Sequence, residues 1–269
     1  MSAPNNPVIR GLRLARLGFH LLVGLGLSAL AYPMIGAKGR SACFRWWSRR
    51  LLVILNVRLR RHGEATPPAA AKPVLVVSNH VSWLDVFVIR SSLDCLFIAK
   101  SEIRGWPLVG WLVARQGTVF VHRARRHDTS RVNASLGRAL REGQVMALFA
   151  EGTTTDGTEV RPFHGSLLQP LVEVAGYAQP VAVRYSHPDG RISDAAAYAG
   201  DRSLWESTLL IVSQPEIRVD LHLLPQVHAV GRHRRDLAEH CAAQVAGALS
   251  LPPPGRARGT RGDLPAAAP

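Results

Sequence analysis

The sequence has few acidic residues, and they are unevenly placed. Asp and Glu number 19 against 33 Lys and Arg, the formal net charge is +14, and no acidic residue precedes Glu64. A chain this basic requires a partner or surface of opposite sign, and nucleic acid and anionic lipid are the obvious choices. Cysteine is also scarce. Its three copies stand far apart without CxxC spacing, which argues against a disulfide framework or a paired-cysteine metal site and fits a reducing compartment.

The charge distribution near the N-terminus favours a membrane over nucleic acid. Residues 17–37 carry no charge and are rich in Leu, Gly and Ala. This length is about the 20 residues that a helix needs to cross a bilayer core. Pro33 and several glycines weaken the segment, so a tilted, re-entrant or interfacial helix is an alternative. Because basic residues flank the apolar segment, we expect an anionic membrane surface as a partner and no nucleic acid.

A second helix is predicted over residues 39–55. Trp46 and Trp47 lie beside arginines there, as interfacial anchors would, although packing in the core is the alternative for both. A cleaved secretory signal ending at residues 29–31 would be another interpretation of this N-terminus. We favour an uncleaved anchor, residues 1–56, that holds the protein on the cytoplasmic face of the inner membrane.

The remainder predicts an α/β domain over residues 57–250. Apolar residues make up 47% of the chain, enough for a substantial core. Strands alternating with helices predict a mostly parallel central sheet flanked by helices. The tail, residues 251–269, is rich in Pro, Gly, Arg and Ala and is predicted to be disordered. Strands are expected at 57–61, 74–77, 95–99, 117–123, 145–149, 180–185 and, as an edge strand, 216–224; helices are expected at 82–90, 128–142, 166–175 and 233–249.

One stretch, residues 73–85, combines a buried strand with polar residues. The apolar run at 74–77 is typical of a strand buried on both faces, and polar residues follow at its carboxyl end, where open α/β sheets place ligands. Among the residues of this stretch, His80 is the side chain that can take up or release a proton near neutral pH without a large pKa shift. Asp85 can meet it only if His80 stays in the loop and Asp85 lies in the first helical turn. Alternatively, Ser82-x-x-Asp85 is only a helix-capping pattern.

Similar polar clusters follow other predicted strands, at residues 122–123, 151–156 and 184. Four sequence blocks there resemble the 1-acyl-glycerol-3-phosphate acyltransferase (lysophosphatidic acid acyltransferase) family. Together they span roughly residues 57–185. The blocks are Asn-His-x4-Asp at 79–85, Gly-x-x-Phe-x-x-Arg at 117–123, Phe-Ala-Glu-Gly-Thr-Thr-Thr at 149–155, and a Val-Pro-Val-type strand at 179–183.

The resemblance implies a glycerolipid acyltransferase fold and an enzyme of membrane lipid biosynthesis. Such an enzyme transfers an acyl group from a thioester, acyl-CoA or acyl carrier protein, to the free hydroxyl of a lysolipid. Neutral His80 would act as the general base, and Asp85 would fix its tautomer and stabilise the imidazolium. No cofactor and no metal are implied. The resemblance assigns substrate binding to Asn79, Arg123, Glu151, Gly152 and Thr153.

Two departures from the family pattern bear on the acceptor. Ala150 replaces a proline, which should change only the stiffness of the loop. Thr154 replaces an arginine associated with the acceptor phosphate, so lyso-ornithine lipid is a candidate acceptor beside 1-acyl-glycerol-3-phosphate. Two other classes stay open: a metal-dependent hydrolase, which would need a third ligand near His80, and a non-catalytic basic module that binds membrane or nucleic acid.

Overall fold

The computed structural model describes residues 6–64, 73–100, 105, 110–111, 115, 119–121 and 126–255. The helices begin with α1, which Asn6 caps by accepting the Val8 N–H at 2.9 Å and which has Pro7 in its first turn. A π-helical turn (Leu27–Ala31) and a 3₁₀ turn (Tyr32–Met34) follow it. The α-helices are α1 (Pro7–Gly26), α2 (Ala37–Ile54), α3 (Asp85–Ser92), α4 (Arg126–Arg141), α5 (Gln169–Glu173), α6 (Leu204–Ser213) and α7 (Arg234–Ala248).

The strands form one mixed sheet. They are β1 (Val57–His62), β2 (Val74–Ser78), β3 (Leu96–Lys100), β4 (Val119–Val121), β5 (Met146–Phe149), β6 (Tyr177–Ser186), β7 (Ile217–Leu223) and β8 (Val227–His228). The order is β1-β7-β6-β2-β5-β3-β4, with β8 paired to β6. Strands β6, β2, β5, β3 and β4 are mutually parallel, which confirms the predicted architecture.

The prediction of an edge strand at residues 216–224 is wrong. Strand β7 lies between β1, to which it is parallel, and β6, to which it is antiparallel. The edge is instead β1, whose residues beyond Leu59 are exposed and basic. Charged side chains are a common protection of an edge strand against unwanted pairing.

Two apolar layers cover the two faces of the sheet. One layer packs α4, α5 and α7 on the sheet, and the other packs α2, α3 and α6. Helix α2 contributes Leu51 and Leu52, and Leu55 follows at its end; all three are at most 2% exposed. The core therefore continues across the predicted boundary at residue 56. Helix α6 was not predicted, although Ser203 and Glu206 form a capping box at its start.

Helix α1 is fastened to the domain along one face. His20 Nε2 and the Trp47 carbonyl oxygen are 2.9 Å apart, the Trp47 indole N–H donates to the His20 carbonyl at 3.0 Å, and the two rings stack. Trp47 is thus a core residue, whereas Trp46 is 49% exposed. Residues Pro7–Met34 are long and apolar enough to cross a membrane by length and composition, with a mean hydropathy of 1.6.

Candidate active site

The predicted polar residues gather at the carboxyl edge of the parallel strands. Strand β2 ends at Ser78, between β5, which ends at Phe149, and β6. Because these strands run in the same direction, the segments following β2 and β5 emerge side by side. The Thr155 N–H donates to the His80 carbonyl at 2.8 Å and ties these two segments together.

His80 and Asp85 are in direct contact. Helix α3 begins at Asp85, so His80 stays in the preceding loop, as the predicted contact requires. His80 Nδ1 lies 2.8 Å from Asp85 Oδ2, and the imidazole stacks on Phe149 with ring centroids 3.8 Å apart. A carboxylate partner assigns the proton to Nδ1, which leaves the Nε2 lone pair as the basic position. The His80 side chain is 21% exposed, while that of Asp85 is fully buried.

Asp85 also organises the loop around itself. Its Oδ2 accepts the backbone N–H groups of Val81 and Ser82 at 2.8 and 2.9 Å, and its Oδ1 accepts the Tyr185 hydroxyl at 2.8 Å. One carboxylate therefore both holds the N–H groups of the loop before α3 and orients His80, so Asp85 does more than the capping alternative assigned to it. Burial, followed by the charge of Asp85, raises the pKa of Tyr185 well above its ordinary value, so Tyr185 remains a hydroxyl donor.

Glu151 supports the backbone of the same loop. One carboxyl oxygen accepts the His80 N–H at 2.6 Å, and the other accepts the Arg161 N–H at 2.8 Å. Burial raises the pKa of Glu151 to about 7. Two neighbours of Glu151 shape the same turn: Gly152 has φ +76°, and Thr153 is half-buried. An added Cβ on Gly152 would lie 3.0 Å from the His164 ring, so the turn requires glycine on both grounds.

The remaining predicted residues differ in their surroundings. Asn79 is 1% exposed, and its amide exchanges two 2.9 Å hydrogen bonds with the backbone of Val183 in β6. We therefore expect Asn79 to position the loop. Arg123 lies outside the described residues. Arg184, at the end of another predicted strand, donates to the Leu249 carbonyl at the end of α7.

Sequence reasoning missed two side chains that contact the pair. Phe149 forms a wall of the site by stacking on His80, and Tyr185 bonds to Asp85 across 100 residues of sequence. A strand was predicted around Tyr185, but only the sheet order brings its side chain to Asp85. Within the described ranges, no three His, Cys, Asp or Glu side chains form a group that could hold a metal ion.

Comparisons with known proteins identify relatives of this chain. A family model described as Acyltransferase matches residues 58–184. A lyso-ornithine lipid O-acyltransferase of Pseudomonas aeruginosa is 36% identical over 246 residues, covering 89% of this chain and 92% of that protein. A 1-acyl-sn-glycerol-3-phosphate acyltransferase of Neisseria meningitidis is 36% identical over 176 residues, covering 64% and 67% of the two chains.

A solved structure has the same fold. The 1-acyl-sn-glycerophosphate acyltransferase of Thermotoga maritima superposes with a TM-score of 0.69 at 19% identity, over 91% of this chain and 95% of that one. The sequence blocks resemble those of the glycerolipid acyltransferases. The alignment with the Pseudomonas aeruginosa protein covers 89% of this chain and therefore extends beyond those blocks. The chain therefore belongs to the acyltransferase family.

Proposed function

We propose that this chain transfers an acyl group from a thioester to the hydroxyl of a lysolipid, with His80 as the general base. The observation that carries the proposal is the 2.8 Å contact between His80 Nδ1 and the buried Asp85 carboxylate at the rim of the sheet. An alcohol becomes a competent nucleophile when a base removes its proton as it attacks, and Nε2 is the nitrogen left for that task.

The reaction balances without a covalent enzyme intermediate. The acceptor oxygen attacks the thioester carbonyl while His80 Nε2 takes the hydroxyl proton. The C–S bond then breaks, and the imidazolium returns the proton to the departing thiolate, giving an ester and a free thiol. Asp85 faces the imidazolium throughout and stabilises its charge. The donor is proposed as acyl-CoA or acyl carrier protein, which share the thioester.

Arg123, Glu151, Gly152 and Thr153 are proposed to form the acceptor site beside His80. The support for the loop residues is that their segment is bonded to the His80 backbone through Glu151 and Thr155, while Arg123 is supported by its match to the second sequence block. Glu151 is proposed to act through the His80 backbone, because both of its carboxyl oxygens accept backbone N–H groups.

Lyso-ornithine lipid is the acceptor we favour over 1-acyl-glycerol-3-phosphate. Thr154 cannot supply the cation that a phosphate monoester binds best. Its hydroxyl donates to the Tyr198 carbonyl, so the side chain closes a loop contact. The relatives from Pseudomonas aeruginosa, Rhizobium meliloti and Brucella abortus that are lyso-ornithine lipid O-acyltransferases support the same choice.

The test compares both acceptors with one donor. Purified full-length protein should acylate lyso-ornithine lipid faster than 1-acyl-glycerol-3-phosphate, and His80→Ala should abolish both activities. Thr154→Arg should shift selectivity toward the phosphate acceptor, while Thr154→Ser, which keeps the hydroxyl, should not. A strong wild-type preference for 1-acyl-glycerol-3-phosphate would overturn the choice of acceptor. Hydrolysis of the thioester without any transfer would overturn the reaction itself.

Membrane association is indicated by the apolar N-terminal helix and by the family. We propose an interfacial anchor on the cytoplasmic face of the inner membrane. One face of α1 packs on the domain, and Arg13 ties its start to the carbonyls of Val212 and Gln214. Its other face presents a row of exposed apolar side chains suited to lipid. These are Val8, Ile9, Leu12, Phe19 and Leu22, and the exposed Leu30 and Met34 follow in the turns after α1.

A further inference from the structure

A cavity of about 400 Å³ with several charged side chains in its wall lies at the opposite edge of the sheet from His80. Its walls are the start of α2, the end of α3 and the amino ends of β3 and β5. Strands β3 and β5 are parallel to β2, whose carboxyl end leads to His80. The proposed acyl transfer makes no use of this cavity.

Arg90 is the notable side chain in its wall. It is 5% exposed, and within the described part of the chain it makes no hydrogen bond or ion pair, although the nearby Asp94 charge partly offsets the lowering of its pKa by burial. Its guanidinium carbon lies 4.0 Å from the Phe44 ring centroid. This cation–π contact holds the guanidinium over the ring and leaves its N–H donors for a bound acceptor. Since a buried charge without hydrogen bonds is costly, an anion in the cavity would stabilise Arg90.

The start of α2 adds a second feature that attracts an anion. The helix has 18 residues, no side chain of the described residues caps its first N–H groups, and its first turn contains no acidic residue. Those N–H groups and the positive end of the helix dipole therefore remain available to an anion. The other cations of the described lining are exposed: Lys38, Arg40 and Arg115. The single carboxylate there is Asp94, which accepts a hydrogen bond from the Ser41 hydroxyl.

We propose that this cavity binds an oxyanion, in the form of the phosphate of an anionic phospholipid headgroup. A lipid is favoured over free phosphate because the apolar α1 segment ends beside the cavity. Leu30 and Met34, just before α2, are 74% and 86% exposed and could receive an acyl chain. Arg90 also lines an adjoining apolar cavity of about 220 Å³ between α1, α2 and α3. A phospholipid bound in this cavity would hold the turn between α1 and α2 at the depth of the lipid headgroups.

Thermal unfolding of the full-length protein in neutral detergent tests the site. The probes are short-chain phosphatidylglycerol, phosphatidylcholine of the same chains, and inorganic phosphate. Phosphatidylglycerol should raise Tm saturably, while the other two should raise it far less. The apparent affinity for phosphatidylglycerol should fall roughly tenfold or more in Arg90→Lys, which lacks the planar fork, and in the surface variant Lys38→Gln/Arg115→Gln.

Two controls make the result specific. Arg60→Gln/Arg61→Gln on β1 removes the same charge from another exposed surface and should bind as tightly as wild type. His80→Ala should also bind normally, which separates this site from the acyltransferase site. An equal response to inorganic phosphate would overturn the lipid assignment in favour of a free-oxyanion site. Absence of a saturable shift, or equal weakening in the β1 control, would overturn the site.

Discussion

Replacing Asp85 by Asn is the sharpest test of the proposed mechanism. Three donors converge on Oδ2, from His80, Val81 and Ser82, and among the residues that the structure describes only the Tyr185 hydroxyl binds Oδ1. The asparagine oxygen should therefore take the Oδ2 position. Its NH₂ group would then face Tyr185, whose hydroxyl can turn to accept one hydrogen. This arrangement preserves the His80 tautomer but removes the charge that faces the imidazolium.

The expected loss follows from that arrangement. Hydrolase triads lose on the order of 10⁴ in turnover when the same change also permits the wrong tautomer. Here the tautomer should survive, so we expect a smaller loss of roughly 10², or about 3 kcal/mol of transition-state stabilisation. One amide hydrogen stays unpaired at a fully buried position, which should lower the free energy of unfolding by about 1–3 kcal/mol.

The assay is acyl-transfer turnover at saturating substrates, with denaturant unfolding as the folding control. Asp220→Asn is a matched control, because Asp220 forms a similar pair with His62, at 2.6 Å, on β1 and β7. That variant should keep wild-type turnover. His80→Ala should lose at least as much as Asp85→Asn, and the double variant little more, since residues acting as a unit are not additive. Near-wild-type turnover in folded Asp85→Asn would refute the proposal that the Asp85 charge stabilises the imidazolium.

Three further predictions concern stability and attachment. Tyr185→Phe removes a hydroxyl donor from a buried carboxylate and should lower the free energy of unfolding by about 1–3 kcal/mol. Its turnover loss should be smaller than that of Asp85→Asn. An unchanged free energy of unfolding would contradict a stabilising role of the hydrogen bond between Tyr185 and Asp85. Glu151 keeps its proton in the folded state up to a pKa of about 7, against 4.5 ordinarily, so its contribution to stability should fall by about 3 kcal/mol between pH 4.5 and 7. Glu151→Gln should flatten that part of the pH–stability curve, and an unchanged curve would contradict the shifted pKa. The intact protein should stay on membranes through high-salt washes, and complete release by salt would mean that its attachment is electrostatic. Deletion of residues 1–55 should leave insoluble protein, because Leu51 and Leu52 belong to the core and their loss would expose apolar surface.

The predictions that succeeded rest on local chemistry. Residues 74–77 are β-branched or apolar without interruption, and the strand they form is buried on both faces. The contact between His80 and Asp85 spans five residues, so one turn determines it. Gly143 likewise marks the end of α4, where the chain adopts φ +76° just beyond the helix.

The errors concern neighbours that are distant in sequence. In β7, buried and half-buried residues alternate, a pattern that a half-exposed edge strand shares. The pattern gives the faces of a strand but not the strands beside it, so the insertion of β7 between β1 and β6 could not be predicted from it. The same limit applies to Tyr185 and to the pairing of Asn79 with Val183, which both depend on β6 lying next to β2.

The spacing of the Asn-His-x4-Asp block has a physical explanation in this fold. The loop after β2 must present the His80 ring at the rim while its N–H groups point inward, away from water. Asp85 satisfies two of those N–H groups, at Val81 and Ser82, and the same oxygen then lies within hydrogen-bonding distance of His80 Nδ1. On a continuous helix, residues five apart diverge by about 140° and could not meet in this way. The carboxylate oxygen that holds the loop N–H groups is thus the atom that orients the base, and the two roles require the same five-residue spacing.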